Sequence, residues 1–259
     1  MRFDFKTHLI YATCLANMSK GAVLSFSNDT LATKNMLHKL KKKFSLITLT
    51  KKSLDDELKI VNIDKEYSTA SVLWLPIKIY YLIYHLQCFV GYLITSNDDF
   101  LSKKHSDCIK EYTKMLANGT LTFSQPVFNL VFDKKILNYT TTPGDNARSS
   151  TKDEVIFNLI MKYIAKHKIL DFKEREGIKD IRFKKNKERV NKFKNNMSIS
   201  IFDFFYVMRI KSNYKNSDFI TDISSQKTKK YFEEYYRAGD YFYKSLKKLT
   251  DEIIYNIDK

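Results

Sequence analysis

The sequence predicts an all-α protein, a helical bundle with an N-terminal appendage and a basic helical insertion. Three observations lead there. Only 6 Gly and 3 Pro occur in 259 residues, too few for the frequent turns of sandwiches and barrels. Apolar residues recur at three- and four-residue spacings over long stretches. The most apolar run, Ser71 to Thr95, is long enough for one helix of about 37 Å and carries Lys78, Tyr81 and His85 on a single stripe, while Trp74, Ile77, Leu82, Phe89 and Leu93 lie largely elsewhere. That run has the length to cross a bilayer, which needs roughly 20 apolar residues, but its polar seam suits a buried core helix, so no membrane span is expected.

The elements follow in order. Residues 1–50 form the appendage, helical in pieces, with Leu37, Leu40 and Phe44 on one face of KNMLHKLKKKF and lysines on the other. In KKSLDDEL, Ser53 followed by Asp55, Asp56 and Glu57 predicts a helix starting near Leu54, because a Ser cap and first-turn acids satisfy the free amides and oppose the helix dipole. This helix leads toward the Ser71–Thr95 run, with an interruption near residues 68–71 or a kink at Pro76. Ser106 or Asp107 caps the next helix, whose apolar face is Ile109, Tyr112 and Leu116, and Asn118-Gly119 ends it. Residues 126–196 change character: a polar loop, TTTPGDNARSST, precedes a periodic helix from Glu154 to His167 and a dense basic segment. From 197 to 259 the chain is again helical. A final helix longer than 30 residues is expected, with Phe232, Tyr235, Tyr236, Phe242, Leu246, Leu249 and Ile253 on its buried face, and with Gly239 weakening its middle by about 1 kcal/mol relative to Ala.

Charge and cysteine usage bound the function. With 45 basic and 29 acidic residues the formal net charge is +16, which suits a polyanionic partner such as nucleic acid. The basic segment interleaves Phe172, Phe183 and Phe193 with Lys184, Lys185, Lys187, Arg189, Lys192 and Lys194, a mixture able to neutralise phosphates and stack bases. Cys14, Cys88 and Cys108 lack metal-type spacing and read as reduced, buried thiols of a cytoplasmic protein. Neither a metal site nor a cofactor is expected: the sequence has no Gly-rich phosphate loop, no nucleophile elbow and no H-E-x-x-H or Cys/His set.

Three segments taken together, YYLIYHLQCFVGYLI, KKHSDCIKEYTKMLANGTL and RIKSNY with AGDYFYKSLKKLTDEI, resemble the HEPN superfamily, in particular its compact branch found beside nucleotidyltransferases and in defence loci. The residues that carry the resemblance are Tyr80-Tyr81, Lys104-His105, Arg209 with Asn213-Tyr214, and Ala238 with Phe242 and Ile253, over about 110 residues. The resemblance implies a four- or five-helix bundle split by an insertion: 51–125 and 197–259 as the two halves, 126–196 as the inserted part. It also implies RNA or nucleotide binding in a prokaryotic defence, toxin–antitoxin or CRISPR-type system, with a protein partner or a homodimer.

Active members of that superfamily use Arg-x4-6-His across a dimer cleft, the Arg holding phosphate and the His assisting attack by the 2′-hydroxyl. Here Arg209 is followed by Asn213 and Tyr214 and no histidine, and a Tyr with a pKa near 10 is a poor base at neutral pH. The expectation is therefore a degenerate or weak ribonuclease, with Arg209, Tyr214 and His105 as the catalytic candidates and Asn213 beside the lysines as an RNA contact. His85 and the Arg2-to-His8 spacing are further candidates. The alternative is a non-catalytic subunit of a larger effector complex, whose aromatic C-terminal helix builds the partner interface.

Overall fold

A computed structural model describes residues 5–27, 34–131, 152–214 and 225–258. The fold is all-α. Among the described residues the only sheet pairs two three-residue strands.

The N-terminal helix α1, Phe5–Ser19, buries Tyr11, Ala12, Cys14, Leu15 and Ala16. A hairpin-like strand pair joins distant parts of the chain: β1 (Leu24–Phe26) runs antiparallel to β2 (Leu121–Phe123) with Leu24 opposite Phe123. Helix α2, Lys34–Ile63, is followed after Asp64 by α3, Lys65–Thr95. The short α4 (Asp99–Ser102), then α5 (His105–Ala117), a 3-10 turn at Pro126–Asn129, α6 (Lys152–Arg175), α7 (Lys184–Asn195), α8 (Phe202–Tyr214) and α9 (Ser225–Asp258) complete the order. Helix α3 is the axis of the bundle, with α2, α8 and α9 packed around it, while α1 lies on α9 and α6.

Ser71 to Thr95 is interior, as its polar seam implied. Helix α3 is long and apolar enough to cross a membrane, yet 72% of its most apolar window is buried inside the bundle. Lys78 on the seam is paired with the buried carboxylate of Glu57 at 2.7 Å. Trp74 departs from the expected apolar face and is 59% exposed, because it shares a side of α3 with Tyr67 and Lys78, seven and four residues away.

Several boundaries differ from the sequence-based expectation. No helix starts at Leu54. Leu40, Ile47, Leu54 and Val61 are all buried, and this seven-residue stripe carries α2 straight through Ser53, outweighing a cap worth about 1 kcal/mol. The break comes instead at Asp64, whose carboxylate accepts from Tyr67 N at 2.9 Å and opens α3. Helix α5 likewise begins earlier than expected, with Lys104 as its N-cap residue, two residues before Ser106 and three before Asp107. The first 50 residues do not stand apart from the bundle either: α1 and the stripe on α2 lie in the same core as α3 and α9. The aromatic face of α9 does not offer a partner surface, since Tyr231, Phe232, Tyr235 and Phe242 are buried within this chain.

Helix α8 is anchored at its start. Asp203, almost fully buried, accepts from Ser200 N at 2.9 Å and from Lys168 Nζ of α6 at 2.6 Å. A buried carboxylate is tolerated when paired and hydrogen-bonded in this way. The anchor fixes the rotation of α8 and so aims Tyr206 and Arg209 at α3.

Candidate functional site: an arginine on a tyrosine and histidine cluster

Four ring residues project from adjacent turns of α3: Tyr80, Tyr81, Tyr84 and His85. Spacings of three and four place them on overlapping faces. The first residue of α5, His105, comes against them. Tyr80 Oη and His105 Nδ1 are 2.7 Å apart, and the rings of Tyr84 and His105 lie 4.1 Å apart, centroid to centroid. Tyr84 Oη donates to the carbonyl of Lys103, holding the turn that leads into α5. From α8, the Arg209 guanidinium sits 5.2 Å from the ring centroids of both Tyr80 and Tyr81 and 6.0 Å from that of Tyr206. These are cation–π distances.

The electrostatics of the cluster are one-sided. Arg209 has no carboxylate partner among the described residues, and its Nε is buried without a hydrogen bond. A fixed guanidinium in a partly desolvated site lacks the counter-charge that normally accompanies it. Burial, and after it the charges of Arg209 and His85, holds the His105 imidazole down at about 4, so this ring is neutral at physiological pH. His85 is also pushed below the usual histidine value, by burial and by Lys43. Burial raises the Tyr80 phenol above its ordinary value, with Arg209 opposing. With Tyr80 protonated, its O–H donates to Nδ1 of His105 in the tautomer that carries the ring proton on Nε2.

The structure thus brings together residues far apart in sequence: Tyr80-Tyr81, His85, His105 and Arg209. Tyr214 is the last residue of α8 and Asn213 precedes it; their side chains lie outside the described residues. His8 is elsewhere, buried beneath α6 with Nε2 2.7 Å from Tyr163 Oη, and Arg2 lies outside the described residues. Tyr84 and Tyr206 were not singled out from sequence. The signal for them is helical spacing alone, one turn after Tyr80 and one turn before Arg209.

The basic segment becomes α7 with Lys184, Lys185, Lys187 and Lys192 exposed. Arg189 is engaged by Glu176 and Lys194 is half-buried. Two of the three rings expected to stack on bases are engaged with each other instead, Phe172 on Phe193 at 4.2 Å and 9°. Phe183 is 67% exposed. Among the described residues no three His, Cys, Asp or Glu side chains converge as a metal site would require.

Chemically, the cluster offers a planar fork able to hold a phosphate, aromatic faces for stacking and a neutral imidazole. A base works best when its pKa lies near the operating pH. At about 4, His105 is a hydrogen-bonding group and a feeble base. No family model, curated protein or solved structure matches this chain.

Proposed function

We propose that this protein is a HEPN-like helical module that binds RNA or a nucleotide at the Arg209 cluster, serving a prokaryotic defence, toxin–antitoxin or CRISPR-type system. The observation that supports it most is the guanidinium of Arg209, held over Tyr80 and Tyr81 with its Nε unpartnered. A phosphate supplies the missing counter-charge, and a nucleobase has the half-buried rings of Tyr81 and Tyr206 beside it. Cleavage is weak or absent, because the histidine nearest the arginine is too poor a base to activate a 2′-hydroxyl at neutral pH. The exposed lysines of α7 add a second, electrostatic contact with nucleic acid.

The test is fluorescence anisotropy of a labelled single-stranded RNA with the parent, Arg209→Ala and Arg209→Lys. The alanine variant should bind at least tenfold more weakly, about 1.4 kcal/mol. The lysine variant should fall between, since a point charge lacks the fork. Unchanged affinity in Arg209→Ala would remove the cluster from the function. Brisk RNA hydrolysis by the parent that disappears on changing Arg209 or His105 would instead make the protein an active ribonuclease.

A further inference from the structure

Helix α2 shows solvent a surface that its role in the bundle does not explain. Its inner side is the buried stripe of Leu40, Ile47, Leu54 and Val61. On its outer side Leu46 is 53% exposed, Leu49 64%, Ile60 40% and Ile63 86%, and Trp74 of α3 is 59% exposed. Isolated apolar residues on a surface mean little, but two exposed apolar pairs, Leu46 with Leu49 and Ile60 with Ile63, on one side of a single helix suit an interaction surface. Leu49 and Ile60 also line one groove with Ser53, Asp56, Tyr67 and Lys78, an indentation of about 410 Å³ alongside the helix.

The order of residues on the stripe says what fits it. Leu46, Leu49, Ser53, Asp56, Ile60 and Ile63 follow one another at gaps of three, four, three, four and three. These gaps keep all six on one side of the helix, and they read the same from either end. We infer that the outer face of α2 is a self-docking surface that takes a second copy of this chain, the two α2 helices packing antiparallel about a two-fold axis between Leu54 and Asp55. Such an axis sets Leu46 against Ile63 of the second copy, Leu49 against Ile60, and Ser53 against Asp56, so each apolar residue meets an apolar one and each polar residue a polar one. The charges also complement themselves. Lys52 comes beside Asp56 of the second copy, a carboxylate that within the single chain pairs with the exposed Lys59 at 2.6 Å and also feels the charge of its own Lys52. Self-complementarity of one patch is what an isologous contact demands. Any stripe on one side of a helix shares this spacing; it is the matching of residue types across the axis that points to a second copy. This inference is independent of the Arg209 cluster.

The stripe is about 25 Å long at 1.5 Å per residue. One helix pair of this length covers less than the roughly 800 Å² per partner of a standard interface. The dimer should therefore be reversible, populated at micromolar concentration and above.

Sedimentation equilibrium up to about 100 µM should show the parent moving from monomer to dimer with concentration. The Leu49→Asp/Ile60→Asp double variant should remain monomeric with unchanged ellipticity. The geometry is read by mixing Leu46→Cys protein with Ile63→Cys protein and adding a short bifunctional thiol reagent, because Cys14, Cys88 and Cys108 are all buried. The mixture should cross-link, and neither variant should do so alone, since the two Leu46 positions stand roughly 25 Å apart in the antiparallel pair. A parent that stays monomeric, a double variant that still dimerises, or cross-links of like with like would each overturn the inference.

Discussion

Tyr80 of α3 and His105 of α5 are joined side chain to side chain at 2.7 Å, which ties the first turn of α5 to the bundle axis and fixes the imidazole beside Arg209. The phenol and the neutral ring suit each other; an imidazolium there would be buried, would face a guanidinium and could only donate.

A pH dependence follows. Burial, Arg209 and His85 depress the His105 pKa to about 4 from 6.5, so the unfolded chain takes up this proton before the folded one does. Above pH 6.5 the group is neutral in both states and contributes nothing. Stability should fall as pH drops from about 6.5 and level off below about 4. Denaturant unfolding at pH 7.5 and pH 4.5 should show the parent losing more stability than His105→Gln. Equal losses would mean that His105 titrates normally.

Gly239 gives a prediction of opposite sign to the one helix propensity suggests. On α9 it faces Ile79 of α3, and a Cβ placed there would lie 2.5 Å from Ile79 Cγ2 and 2.9 Å from Cδ1. Propensity alone would make Gly239→Ala stabilising by about 1 kcal/mol, whereas overpacking costs 1–3. Thermal unfolding should find Gly239→Ala destabilised by about 1 kcal/mol or more. In an Ile79→Ala background the same change should become neutral or favourable, the signature of a direct contact in a double-mutant cycle.

The salt dependence of RNA binding reports on α7. Changing Lys184, Lys185, Lys187 and Lys192 to Gln should weaken binding and reduce the slope of log affinity against log salt by up to roughly 3, at about 0.7 per phosphate contact on a single strand. Loss of affinity with the parent's slope would place the phosphate contacts on other cations.

Helix existence was legible in the sequence where periodicity was strong. The buried face of α9, from Phe232 to Ile253, and the interior position of α3 follow directly from spacing. Boundaries were not, because a local cap signal at Ser53 competes with a stripe on α2 whose four buried members span more than twenty residues, and the longer pattern wins. The cluster was half legible. Tyr80-Tyr81, His105 and Arg209 could be named, but that they meet depends on the α8 anchor between Asp203 and Lys168, a pairing across two helices that no local pattern announces. The fate of Phe172 and Phe193 was hidden for the same reason: two rings 21 positions apart look available until the chain folds them face to face.

Helix α9 closes the bundle. It packs on α1, α2, α3 and β1, and Ser245 Oγ donates to the carbonyl of Ala22, 223 residues earlier, at 2.6 Å. During synthesis, therefore, α1 and the apolar flank of α3 leave the ribosome long before their partner does. Long-range contacts of this kind make folding slow and leave apolar surface open to aggregation. The nascent chain should be a chaperone client until residues 225–258 emerge, and acquire protease resistance in one late step rather than helix by helix.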